Sequence, residues 1–264
     1  MRDVTGATRL VGILADPIHH VRTPQVLNPR FEALGIDAVI LPMHVVPADL
    51  GAVLAGLSKI RSLSGLVVTV PHKEAVVAFC DELGPEARLV GAANVLQRLP
   101  DGRWAGEMLD GVGFVTGLRT AGIDPAGLSV LLVGAGGAAS AVAVALVRAG
   151  VARLVIANRT PARAEALAEK IAAAFPNVSV AAGPADPAGF DLVINGTSLG
   201  LKPGDALPLD PERLEPRTIV ADVVMNPPVT PLLAAAAARG CRTHEGLAMI
   251  EGQLDAIAAF VTGG

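Results

Sequence analysis

Charge is scarce in this sequence: Asp, Glu, Lys and Arg make up 17% of 264 residues, against 52% hydrophobic. A disordered chain needs the opposite balance, and this length suffices to bury a sizeable core. Neither sign dominates, since 21 Lys and Arg stand against 25 Asp and Glu for a net charge of −4. With no basic run, the electrostatic footprint of a nucleic-acid binder is missing. Aromatic residues are few, at 3%, with Trp104 alone and no Tyr, so no base-stacking platform is expected. Cys80 and Cys241 make neither a disulfide framework nor a metal knuckle, and both are expected as buried thiols in a reducing compartment. His19, His20, His44, His72 and His244 lack metal-ligand spacing; they are expected as satisfied or exposed side chains, with no metal. No apolar run reaches the roughly 18 residues of a membrane span. The opening MRDVTGATRLVG lacks the apolar stretch of a signal peptide. A cytoplasmic protein away from membranes and nucleic acid is therefore expected, acting on a small molecule as a monomer or homodimer.

Short apolar runs alternate with helical patterns, which predicts an α/β fold with mainly parallel sheets. Strands are expected at 10–15, 38–45, 65–70 and 93–99, and helices at 24–34, 48–60 and from Pro71 to about Leu83. Asp101-Gly102 is a hairpin turn signal with Trp104 on the return strand. Further on, strands are expected at 130–137, 154–158, 178–181, 191–198 and 218–224. The helices there are expected at 110–121, 137–149, 161–174 and 230–239, with another from Gly246 to Phe260. This divides the chain into a first domain over 1–109 and a second over 110–240. The final helix could pack on either, and the cleft between domains is the default place for a ligand.

The strongest local pattern is VLLVGAGGAASAVAVAL. A buried strand runs into Gly134-Ala135-Gly136-Gly137-Ala138 and then a helix. The first glycine permits the tight turn, the second lets backbone approach a pyrophosphate, and small Ala139 lets helix and strand pack closely. The phosphates would sit at the helix N-terminus. At the end of the next strand stand Asn158, Arg159 and Thr160, with Arg163 following and no acidic residue. An acidic residue there would favour the ribose 2′-hydroxyl of NAD, whereas arginines suit a 2′-phosphate. The cofactor expected is NADP.

In the first domain Lys73 lies just past a buried strand, at the expected first turn of a helix, and Asp110 lies where the chain crosses between domains. A lysine in a cleft can trade a proton with a substrate hydroxyl, and a carboxylate can orient it. Taken alone, Lys73 also reads as a surface charge at a helix N-terminus and Asp110 as a helix N-cap.

Several motifs then line up in order: DPIHHVRTP (16–24), GLVVTVPHK (65–73), VGAANVL (90–96), GEMLDGVGF (106–114), VGAGGAASA (133–141), ANRTPAR (157–163), INGTSLG (194–200), ADVVMNPPVTPLL (221–233) and EGLAMIEGQ (245–253). Over essentially its whole length the chain resembles the shikimate dehydrogenase family. The resemblance implies an N-terminal α/β substrate domain, a Rossmann-type doubly wound NADP domain, and residues 241–264 returning to the substrate domain. It implies reversible hydride transfer between NADP(H) and a ring hydroxyl or ketone, within aromatic amino acid biosynthesis. Lys73 and Asp110 match the catalytic pair. Thr69, Asn94 and Gln253 match substrate contacts, Val223 and Gly246 match positions lining the nicotinamide pocket, and Thr197 matches a cofactor contact.

The chain also departs from the family. Two serines that hold the substrate carboxylate fall on Val21 and Thr23. An Asn before Thr69 falls on Val67, an Asn-Thr before Asp110 falls on Met108-Leu109, and a carboxylate-binding Tyr falls on Met225. Each hydrogen bond lost to a charged group is worth about 1.5–3 kcal/mol. The cofactor side is intact, so the expectation is a retained reaction with a shifted preference among cyclic hydroxy acids and related ring alcohols. Two other readings use the same residues: an NADP-binding sensor without turnover, and a folate-linked dehydrogenase.

Overall fold

A computed structural model describes residues 3–19 and 21–263; Met1, Arg2, Gly264 and His20, one of the five histidines considered above, lie outside the described residues. The chain forms two compact units, Met1–Leu109 with Gln253–Gly264, and Asp110–Gly252.

The first unit contains β1 (Arg9–Ala15), α1 (Thr23–Ala33), β2 (Ala38–His44), α2 (Leu50–Leu57), β3 (Leu63–Val68), β4 (Glu82–Leu83), α3 (Pro85–Val90), β5 (Val95–Arg98) and β6 (Trp104–Glu107). Its sheet runs β2-β1-β3-β5-β6-β4. β1 pairs in parallel with β2 and β3, but β5 is antiparallel to both β3 and β6. β4 pairs in parallel with β6, so the sheet is mixed with parallel pairs in the majority, as expected; the tight turn through Gly102, at φ 91°, reverses the chain between β5 and β6. The exposed edge of β2 is covered by one side chain. Asn28 on α1 accepts from the Ile40 amide at 2.9 Å and donates to the Ile40 carbonyl at 3.2 Å, which blunts the edge against pairing with another strand.

Two expectations fail between Pro71 and Val90. No helix spans 71–83; Ala75–Phe79 makes only a short 3-10 turn. The β-branched pair Val76-Val77 resists helix, and Asp81 is drawn to the sheet by accepting from the Trp104 amide at 2.8 Å. Lys73 accordingly sits in a turn, not at the start of a helix. α3 lies outside the expected elements, although Pro85 opens it and Gly91, at φ 77°, closes it. Likewise the helix expected at 48–60 is a 3-10 turn, Pro47–Asp49, followed by α2.

The second unit contains α4 (Asp110–Thr120), β7 (Ser129–Val133), α5 (Gly137–Arg148), β8 (Arg153–Ala157), α6 (Pro161–Ala174), β9 (Ser179–Ala182), β10 (Leu192–Asn195), β11 (Ile219–Asp222), α7 (Pro231–Ala238), β12 (Arg242–His244) and α8 (Leu247–Glu251). Its sheet is wholly parallel, in the order β12-β11-β10-β7-β8-β9. The winding reverses between β7 and β10, and in such sheets ligands bind outside the carboxyl ends of the strands at that point. The central strands are continuous apolar runs because helices cover both faces.

Glycines let the helices close up. A methyl at Gly111 of α4 would lie 2.2 Å from the Ala141 carbonyl of α5, and one at Gly117 would lie 2.6 Å from the Ala248 carbonyl of α8. The expected single helix from Gly246 to Phe260 is broken. α8 stays with the second unit, and α9 (Leu254–Thr262) follows Gln253 back into the first. There Ile257, Ala258 and Val261 join the cluster of Val11, Leu27, Phe31, Ile40 and Val67. Residues 241–252, expected to return with that helix, instead add β12 to the second sheet and α8 to its cover. Among the described residues no helix is long and apolar enough to cross a membrane.

Candidate active site and cofactor cavity

In the second unit the end of β7 turns at Gly134, whose φ of 125° suits glycine. Its amide donates to the Ala157 carbonyl at 2.7 Å, and a methyl on it would lie 2.7 Å from the Gly196 carbonyl. Gly136 caps α5, and a methyl there would meet no protein atom within 4 Å. No protein atom therefore requires glycine at this position, which faces open space. Ala135, Gly137 and Ala138 complete the turn into the helix, and a methyl on Gly196 would lie 2.9 Å from the Ala139 methyl, so helix and strand do pack closely.

Beside this turn lies a cavity of about 740 Å³ whose lining includes Asn158, Arg159, Thr160, Arg163 and Thr197. Asn158 is fixed by donating to the Thr160 carbonyl at 2.9 Å. The two arginines are exposed at the cavity rim. The glycine cradle and the cationic rim fit a phosphorylated dinucleotide. Ser198, within the motif INGTSLG, also lines it, as do Glu165 and the segment 182–185, which no sequence motif marks.

In the first unit the polar candidates gather where β3 ends. The His72 imidazole bonds the Val45 carbonyl at 2.7 Å, which pins the turn bearing half-buried Lys73. The Lys73 carbonyl accepts from the Ala93 amide at 2.9 Å, placing Lys73 beside Asn94. Asn94 and Gln253, both buried, are joined by a 2.9 Å hydrogen bond across 159 residues of sequence. Asn94 also accepts from the Leu109 amide at 2.8 Å. Thr69 is half-buried next to this pair, and Thr23 is buried at the start of α1. Val67 lies in the apolar cluster, with Val21 and Leu109 packed against it.

Asp110 is 2% exposed and begins the second unit. Val223 and Met225 are half-buried in the loop after β11, and Gly246 packs its backbone on that loop. The structure also joins the His44 imidazole at the end of β2 to Asp16, just past β1, by a 2.8 Å hydrogen bond; Asp16 opens the motif DPIHHVRTP, but the sequence gives the pair no role.

Two minor expectations are corrected. Cys80 is half-buried rather than buried, and burial pushes its thiol up to about 11; Cys241 is buried. His244 is neither exposed nor satisfied: it is 6% exposed and its Nε2 has no partner. Burial, with Arg242 nearby, holds its imidazole below the ordinary 6.5. Protons therefore favour the unfolded chain, so the associated stability is present above pH about 6.5 and is lost as the pH falls below it. Urea midpoints measured from pH 7 down to pH 5 are expected to fall more steeply for the native chain than for His244→Phe.

Among the described residues no group of three His, Cys, Asp or Glu could hold a metal.

The family profile described as shikimate dehydrogenase substrate binding domain matches residues 13–96, and that described as shikimate / quinate 5-dehydrogenase matches 120–199. The chain is 42% identical over 254 residues to the shikimate dehydrogenase (NADP(+)) of Rubrobacter xylanophilus, covering 95% of this chain and 87% of that one. The solved shikimate 5-dehydrogenase of Thermus thermophilus, in complex with NADP(H) and shikimate, matches with a TM-score of 0.88 at 31% identity, covering 97% and 94%. The 5-ketofructose reductase of a Gluconobacter strain matches with a TM-score of 0.84 at 33% identity, covering 98% and 95%. With identity of this level across nearly the whole length, the chain belongs to the shikimate dehydrogenase family of oxidoreductases.

Proposed function

We propose that the protein is an NADP-dependent dehydrogenase that oxidises, reversibly, a ring hydroxyl of shikimate or a related cyclic alcohol to the ketone. The observation that carries this is the glycine turn opening α5 beside a cavity rimmed by Arg159 and Arg163. NADP, when bound, supplies the hydride acceptor. The turn from Gly134 to Ala138 holds the pyrophosphate on backbone amides, and Arg159 and Arg163 hold the 2′-phosphate with Thr160 and Asn158. Thr197, Val223 and Gly246 line the remainder of the cofactor's path.

Lys73 takes the proton of the ring hydroxyl as the carbinol hydrogen departs as hydride, and returns that proton to water. Asp110 orients the lysine. Thr69, Asn94 and Gln253 hold the substrate's hydroxyls, and Thr23 stands where one of the family's two carboxylate-binding serines falls. The Asn94–Gln253 bond orients both amides before substrate arrives, so little ordering is left to be done on binding.

A second reading concerns the substrate, not the reaction. Val21, Val67 and Leu109, which stand where the family has polar substrate contacts, are in or packed against the apolar core cluster, and a reductase of 5-ketofructose is among the similar structures. Both favour a substrate without a carboxylate. The test is kcat/KM for shikimate against its uncharged methyl ester, with NADP. Preference for the acid supports shikimate as the substrate. Preference for the ester supports the uncharged reading. NADP reduction with neither, nor with any other cyclic alcohol, overturns the proposal.

A further inference from the structure

One buried hydrogen-bond relay in the second unit ties the loop that lines the cofactor cavity to the loop after β11. Asn195 ends β10 and Asp222 ends β11, and the two strands pair at those residues. Neither side chain is exposed to solvent. The Asn195 amide nitrogen donates to both Asp222 oxygens, at 3.0 and 3.2 Å, and to the Leu199 carbonyl at 2.9 Å. Its amide oxygen accepts from the Thr197 hydroxyl at 2.7 Å and the Thr197 amide at 3.1 Å. The Asn195 carbonyl accepts from the Val223 amide at 3.0 Å.

On the far side, Asp222 accepts from the Val224 amide at 2.8 Å and from the buried Thr230 hydroxyl, also at 2.8 Å. Gly246 closes the loop from above, since a methyl there would lie 2.4 Å from the Val224 carbonyl. A buried carboxylate surrounded by donors is costly to keep unless every donor is in place. Such a network holds its members in one arrangement.

We infer that Asp222, acting through Asn195, is a positioning residue that fixes the loop 196–199 and the loop 223–230 in one register, so that the cofactor meets a preformed surface. Thr197 and Val223 are the residues it sets in place, and neither Asn195 nor Asp222 touches the reacting atoms. This rests on the proposed use of NADP.

The test is the Kd for NADPH, read by nucleotide fluorescence, alongside the melting temperature. Thr230→Val removes one bond to Asp222, Thr230→Ser keeps it, and Asp222→Asn is the second relay variant. Thr218→Val is the control: it removes a buried 3.1 Å bond to the Phe190 carbonyl at the other end of β11. Thr230→Val and Asp222→Asn are expected to weaken NADPH binding by roughly tenfold or more. Thr230→Ser is expected to bind as the native protein does, and Thr218→Val to lose thermal stability with its Kd unchanged. Native binding of NADPH by folded Thr230→Val or Asp222→Asn, or an equal loss in Thr218→Val, overturns the inference. Failure of the unmodified protein to bind NADPH overturns the proposed function instead.

Discussion

Replacing Lys73 by Ala lowers kcat for ring-alcohol oxidation by about 10²- to 10⁴-fold, the usual worth of a positioned acid–base group, while the Kd for NADPH stays as it was. The structure separates these effects. Lys73 is half-buried in a turn whose shape depends on its backbone carbonyl, bonded to Ala93, and on its neighbour His72, bonded to Val45. Truncating the side chain leaves those bonds in place, so the fold survives and the loss is chemical. The cofactor cavity lies in the other compact unit, which is why nucleotide binding is spared. Lys73→Arg is expected to be equally poor, because a guanidinium keeps its proton and cannot accept another. Turnover with a fluorescence titration of NADPH checks all three statements. Full activity in Lys73→Ala would assign the proton to a different group.

The second large effect concerns cofactor choice. Arg159→Gln is expected to weaken NADP binding by roughly 10- to 100-fold, the range for losing a charge-assisted bond to phosphate, with NAD binding little changed. Arg159 is exposed on the rim of the cavity just past β8, so removing its charge costs the fold little. An exposed contact is also partly screened by salt, and the NADP-over-NAD ratio should narrow further as ionic strength rises. The ratio of kcat/KM values for the two cofactors, taken at low and high salt, measures this. A ratio unchanged by the substitution would show that the 2′-phosphate is read elsewhere.

Long, strongly patterned elements are legible in the sequence. α6 spans 161–174 as expected because Pro161 opens it and small apolar residues recur on one face. The glycine turn is legible because its spacing, set between a buried apolar strand and a helix, is itself the signal. Short elements are not. β12 has three residues, two of them exposed, and becomes a strand only because β11 is beside it. The helix expected after Pro71 fails because its apolar run is compatible with helix or irregular chain, and tertiary hydrogen bonding at Asp81 decides it.

The candidate site divides the same way. The resemblance puts Asn94 and Gln253 among the substrate contacts, but nothing local shows that the two bond each other across the chain. Asn195 and Asp222 fall within the strands expected at 191–198 and 218–224, where nothing in the sequence sets them apart from their neighbours. Their importance emerges only when parallel pairing of β10 and β11 sets them side by side.

The most direct measurement is the initial rate of NADPH formation by the purified protein with NADP and increasing shikimate, run in parallel with Lys73→Ala. Saturable NADPH formation is expected of the native protein, abolished or nearly so in the variant, with both proteins binding NADPH alike. Absence of NADPH formation with shikimate and with every other cyclic alcohol tried, by a native protein that still binds NADPH, would contradict it and leave a nucleotide-binding protein without turnover.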